Sequence, residues 1–268
     1  AVIEIDDHAG ALDVKPKGDI QFTIEDFKFT GDDRVALHNI QFTLKQGETL
    51  GIVGKTGSGK TAILKLLMRE FEGYRGTIMY GDHSIVAYKK RALREAIGYV
   101  PQDHFLFSTT VAGNMAFANA DATMDEIYEA ARLANIHEDI LQFTDGYNTI
   151  VGERGVSLSG GQKQRISIAR ALMMKPELLI LDDSLSAVDA RTEEAILESL
   201  KKSRTDETTI ITSHRLSAIA HAHQIIVMNE GTIIEKGTHE ELMELKGMYY
   251  EMYQLQQLEN LVEKGRDV

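Results

Sequence analysis

Residues 54 to 61, Gly54-Lys55-Thr56-Gly57-Ser58-Gly59-Lys60-Thr61, constrain this chain more than any other stretch. They match G-x-x-x-x-G-K-[ST] at every fixed position. Thr49 to Val53 before them reads as a short buried strand, and Ala62 to Met68 after them as the start of a helix. Gly54, Gly57 and Gly59 let the backbone turn tightly and approach a phosphate with no side chain in the way. The N–H groups of the loop, Thr56 and Ser58 included, would form an anion site with the helix N-terminus. Lys60 would reach the β- and γ-phosphates of a nucleotide, and the Thr61 hydroxyl would hold Mg²⁺. A glycine-rich turn without function is the bland alternative. It fails because strand, loop, Lys-Thr pair and helix all agree.

Composition bounds what such a unit can serve. The chain has 268 residues, enough for one large domain or two small ones with a buried core. Its net charge of −12 makes it a poor primary binder of nucleic acid, and no nucleic-acid partner is expected. It has no cysteine, so there is neither a disulfide framework nor a thiolate metal site, which suits a reducing compartment. No apolar run approaches the roughly 18 residues of a membrane span, and no signal peptide is visible. Taken alone, these features describe a soluble cytosolic nucleotide-binding protein.

Residues 1 to 18 carry charges, Gly10, Pro16 and Gly18, and read as a linker from something upstream. Alternation in Ile20 to Phe29 and in Leu37 to Leu44 predicts half-buried antiparallel strands. Phe29, at the end of the first, could stack on an adenine ring or belong to the core, and local pattern favours the core. Gly98-Tyr99-Val100 is a further strand ended by Pro101, which leaves Gln102 at its carboxyl end, the ligand-facing edge of α/β folds. Residues 104 to 165 have helical texture and read as an inserted helical subdomain, with a capping box at Thr123-Met124-Asp125-Glu126.

Leu158-Ser159-Gly160-Gly161-Gln162 is the second informative stretch. Ser159 and Gln162 have capping-box spacing ahead of a helix over Lys163 to Met173. A hydroxyl, two glycines and a bare helix N-terminus make a second anion site, which a dimer would use by closing it on the partner's γ-phosphate. An ordinary cap is the alternative. Against it, Gly-Gly in a first turn costs helix stability with no local gain.

With both motifs in hand, residues 20 to 247 closely resemble the nucleotide-binding domain of ATP-binding cassette (ABC) transporters. The resemblance implies an α/β P-loop NTPase cassette. Its parts would be a parallel-sheet core, an antiparallel β-subdomain and the helical subdomain, with the cassette proper over residues 19 to 247 and a C-terminal helix and tail over 248 to 268. It implies ATP and Mg²⁺ as ligands. Leu158 to Gln162 match the family's signature motif, Gln102 its Q-loop, and Phe29 falls near its adenine-stacking aromatic. Thr149 to Gly155 look like the exporter segment that contacts the coupling helices of the transmembrane domains, which favours an exporter of multidrug type.

Leu178 to Leu181 form an apolar strand ending in Asp182, a Walker B carboxylate that would hold Mg²⁺ through water. Asp183 stands where the family usually has glutamate, the general base. One methylene fewer leaves its carboxylate short by roughly 1 Å, a misplacement that can cost about 10²-fold in rate. The pattern resembles the degenerate-site subunit of heterodimeric bacterial half-transporters, with a fully competent homodimer as the alternative and a soluble ABC ATPase as a third reading. Ser186 to Asp189 match the D-loop, and His214, two residues beyond the strand Thr208 to Thr212, matches the switch histidine. The partners implied are a second cassette from a different subunit and the transmembrane domains of an exporter. The place implied is the cytoplasmic face of a membrane, reached only through those domains. Finally, Met248, Tyr249, Met252, Leu255, Leu258 and Val262 form an apolar stripe on the terminal helix. It packs on its own domain or on the partner's, and the former is the expectation.

Overall fold

The computed structural model describes residues 5–266. Residues 1–4 of the expected linker and 267–268 of the tail lie outside the described residues. In chain order the elements are β1 (Ile20–Phe27), β2 (Leu37–Leu44), β3 (Thr49–Gly54), α1 (Lys60–Leu67), β4 (Arg75–Tyr80), β5 (His83–Ser84), α2 (Lys90–Ala96) and β6 (Ile97–Val100). Then come α3 (Val111–Met115), α4 (Met124–Leu133), α5 (His137–Leu141), α6 (Gly160–Leu172), β7 (Leu178–Asp182), α7 (Ala190–Ser203), β8 (Thr208–Thr212), β9 (Gln224–Asn229), β10 (Thr232–Gly237), α8 (His239–Leu245) and α9 (Met248–Arg266). No helix among the described residues is long and apolar enough to cross a membrane. The chain divides into two compact units, Ala1–Arg94 with Ile210–Val268, and Glu95–Thr209.

The first unit holds an antiparallel sheet of order β2-β1-β4-β5. The alternation of β1 and β2 puts one face of each strand inside, where Phe22 stacks on its register partner Phe42 at 5.0 Å. In the same unit β3, buried along nearly its whole length, pairs in parallel with β9, which pairs antiparallel with β10. The β9–β10 turn at Glu230 and Gly231 has φ of 47° and 79°. Two left-handed residues match the right-handed strand twist, so the Asn-Glu-Gly sequence closes a hairpin. The segment before β1 is tied down rather than loose. Leu12 donates to the Ala87 carbonyl and accepts from the Lys89 N–H, both at 2.8 Å. Arg91 reaches both carboxylate oxygens of Asp13 at 3.0 Å.

The second unit pairs β6 and β7 in parallel, Ile97 opposite Leu178 through Val100 opposite Leu181. Around them run α3 to α7. Thr123 with Glu126 and Ser159 with Gln162 close complete capping boxes, as Thr238 with Glu241 does in the first unit. Each was legible from spacing alone, because a capping box uses only atoms within four residues.

The terminal stripe departs from expectation in its second half. Of its members only Tyr249 is buried. Met248 and Met252 are half-buried, whereas Leu255, Leu258 and Val262 are 58%, 59% and 56% exposed, so the stripe packs on its own domain only through its first half. Helical spacing sorts residues by face and says nothing about what covers a face.

Candidate functional site

In the first unit the glycine-rich loop leaves β3 at Gly54 and enters α1 through Gly59, which has φ 111°. A side chain would be strained there, and its Cβ would lie 3.0 Å from Leu37 and 3.2 Å from the Ala36 carbonyl. The β9–β10 hairpin braces the loop, since the Gly231 N–H donates to the Ser58 carbonyl at 2.8 Å. Lys60 Nζ folds back on the Gly54 carbonyl. The helix has no side-chain cap and no acid in its first turn. Ser58 Oγ is buried and without a hydrogen-bond partner, while Lys55, Thr56 and Gly57 face outward. A helix N-terminus without a side-chain cap, an orphan hydroxyl and a cation fit a bound phosphate chain.

His214, exposed, follows β8, and β8 neighbours β3 in sheet order. Phe29 lies two residues past β1, half-buried, edge-on to Phe27 at 5.0 Å and to Phe71 at 5.2 Å. That aromatic cluster gives it a structural job of its own.

In the second unit Asp182 closes β7, partly exposed, and Gln102 stands exposed two residues past β6. Asp183, between buried strand and loop, has φ 50°. Aspartate is among the few residues that enter this left-handed region readily, because its short polar side chain bonds locally. Tyr99 on β6 donates its hydroxyl to Asp182 Oδ2 at 2.7 Å, a contact sequence reasoning missed. The only signal was that β6 runs beside β7, which needs the fold. Tyr99→Phe removes one hydrogen bond to a charged acceptor, about 1.5–3 kcal/mol. If Asp182 holds Mg²⁺ as the sequence resemblance implies, the Mg²⁺ concentration needed for half-maximal ATP binding should rise, by about tenfold or more. A magnesium titration of ATP affinity checks this, and an unchanged midpoint would remove Tyr99 from the site.

Ser159 caps α6, accepting from the Gln162 N–H at 3.2 Å, while Gln162 returns a bond to the Ser159 N–H at 3.0 Å. Gly160 and Gly161 have a packing reason within this chain, which the local pattern did not reveal. A Cβ on Gly161 would stand 2.9 Å from the Ala187 carbonyl, and one on Gly160 3.3 Å from the Ala187 methyl. Close approach of the Ser186–Asp189 segment to the helix therefore demands them. Gln164, 1% exposed, holds that segment in place: its Nε2 donates to Ser186 Oγ at 2.9 Å and its Oε1 accepts from the Ala187 N–H at 2.8 Å. An amide among the apolar residues of a helix face was the overlooked signal. Asp189 caps α7, accepting from the Thr192 N–H at 2.7 Å. That bond holds its carboxyl below the usual carboxylate value. The cap therefore contributes fully at neutral pH and is lost only as pH falls through the lowered value.

Two further segments of this unit meet. Val151 donates to the Thr109 carbonyl and Val111 to the Thr149 carbonyl, both at 2.9 Å. Asn114, fully buried, bonds both the N–H and the carbonyl of Phe107. Beside this joint Phe105 is 59% and Ile150 54% exposed.

The chain matches the family model described as "ABC transporter" over residues 37–186, more than half of its length. It is 48% identical over 98% of its length to a probable multidrug resistance ABC transporter ATP-binding/permease protein, YheI, of Bacillus subtilis, of which it covers 45%. It is 49% identical over 91% of its length to the multidrug resistance-like ATP-binding protein MdlA of Escherichia coli, of which it covers 41%. A bacterial Atm1-family ABC exporter with ATP bound superimposes with a TM-score of 0.89 at 38% identity, over 96% of this chain and 45% of that one. The chain thus spans under half the length of these relatives. A phosphate cradle on β3, a carboxylate pair closing β7 and a capped glycine pair opening α6 agree with those matches, and the chain belongs to the ABC transporter family as an ATP-binding domain.

Proposed function

We propose that the chain is the ATP-hydrolysing motor of a multidrug-type exporter, on the cytoplasmic face of a membrane and joined to transmembrane domains. The observation that carries this reading is the joint between residues 102–109 and 149–155, with Phe105 and Ile150 turned outward. Exposed apolar groups beside a hydrogen-bonded, Asn114-braced loop pair suit contact with a permease. The relatives named as ATP-binding/permease proteins support it.

In this reading Gly54, Thr56, Gly57, Ser58, Gly59 and Lys60 receive the phosphates, and Phe29 lies toward the base. Thr61, Asp182 and Gln102 would hold Mg²⁺, which neutralises charge building on the phosphates. Ser159, Gly160, Gly161 and Gln162 offer their helix N-terminus to the ATP of a second cassette, with Asp189 at the same interface. His214 orders the attacking water, and Asp183 takes the place of the general base. Because Asp183 is one methylene short, this chain's own site turns over slowly and the partner, a different subunit bearing glutamate, fires. ATPase of the chain alone and mixed with a glutamate-bearing partner cassette is the test. Slow turnover alone and faster turnover when mixed is expected. Fast turnover alone, lost on Asp183→Asn, would instead mark a competent homodimer.

A further inference from the structure

His214 sits in a stretch that no regular element holds. β8 ends at Thr212, and the next helical turn, a 3-10 turn, begins at Leu216. Within it Ser213 Oγ accepts from the Arg215 N–H at 3.0 Å. A further restraint comes from 40 residues further along the chain. Gln256 on α9 accepts the Leu216 N–H through Oε1 at 2.9 Å and donates from Nε2 to the His214 carbonyl at 2.6 Å. A carboxamide carries an acceptor and a donor side by side, so it can bond two peptide groups as a neighbouring strand would.

The helix that presents this amide is itself anchored. Glu235 on β10 accepts the N–H groups of Met248 at 2.6 Å and Tyr249 at 3.3 Å. Tyr249 is fully buried, and its hydroxyl meets His239 Nδ1 at 2.7 Å. Farther along α9 Leu255 and Leu258 face outward while Gln256 is half-buried. The helix therefore turns its amide, not its leucines, toward the His214 segment.

We propose that Gln256 is a positioning residue for His214: it clamps the backbone on both sides of Arg215 and so sets where the imidazole is held during ATP cleavage. The inference rests on the role given to His214 above. Residues of the glycine-rich loop are not bonded by Gln256, so the clamp should act on the chemical step and leave ATP affinity alone.

The experiment uses the full chain with Gln256→Met, which keeps length and removes both bonds, and Gln256→Glu, which keeps the acceptor but sets a carboxylate against the His214 carbonyl. Gln254→Met, on an exposed position of the same helix, controls for changes in α9. Single-turnover ATP cleavage reads slow chemistry as well as fast. Loss of both bonds should lower the cleavage rate by about tenfold, with half-saturating ATP unchanged, and speed hydrogen exchange of the Leu216 amide by a similar factor. Gln256→Glu should be at least as impaired as Gln256→Met, and Gln254→Met should match the unsubstituted chain. Unchanged exchange at Leu216 overturns the clamp. Faster exchange with an unchanged cleavage rate overturns its role in turnover. Full cleavage by His214→Ala overturns the reading of His214 and the inference with it, whereas inactive His214→Ala beside unimpaired Gln256→Met overturns the inference alone.

Discussion

Lys60→Ala should raise the dissociation constant for ATP by about 10²-fold or more, because about two charge-assisted hydrogen bonds of about 1.5–3 kcal/mol each are lost. The fold should survive the change. Lys60 Nζ contributes a bond to the Gly54 carbonyl, and that bond is worth about 1 kcal/mol net to stability. The loop keeps its other supports, the Gly231 N–H on the Ser58 carbonyl and the close fit of Gly59 against Leu37 and Ala36. Calorimetric titration of ATP, with a melting curve alongside, separates binding from folding. Near-normal affinity in a well-folded variant would show that the cradle does not grip the phosphates through this lysine.

Asp183→Glu tests the other half of the chemistry and should raise turnover by about 10²-fold, since the added methylene restores roughly 1 Å of reach to the carboxylate. The gain comes with a cost in stability. Asp183 has φ 50°, which aspartate tolerates better than glutamate does. A penalty of about 1 kcal/mol would lower the melting temperature by about 2–4 °C in a domain of this size. A less stable, faster enzyme is therefore the expected outcome, read as ATPase rate and melting temperature on one preparation. No gain in rate would mean that the carboxylate length at this position does not limit turnover, and the slow-site reading would go with it.

Much of what depends on neighbours within about four residues was legible in the sequence, although the caps at Thr110 and Asp189 were not read as such. The glycine-rich loop between β3 and α1, the three capping boxes and the β9–β10 hairpin all follow from local hydrogen bonding and backbone freedom. The alternation in β1 and β2 followed for a similar reason, since a pleated strand with one buried face repeats every second residue. The glycine pair of α6 was legible as unusual but not in its cause, because the Ala187 carbonyl that excludes a Cβ lies 26 positions away. The same holds for Asn114 bracing Phe107 and for Tyr99 on Asp182, whose partners are brought together by folding.

The sequence by itself therefore determined the chemistry on offer: a phosphate cradle ending in Lys60 and Thr61, a strand closing on Asp182 and Asp183, and a capped helix start at Ser159. Tertiary structure alone decided what holds those groups in place. Gln164 spans 22 residues to Ser186 and Gln256 spans 42 to His214, each as a single amide bonded at both ends. A glutamine carries no sign in sequence of which backbone it will meet. Its two short hydrogen bonds form only where the packed chain brings an N–H and a carbonyl within about 3 Å of one side chain.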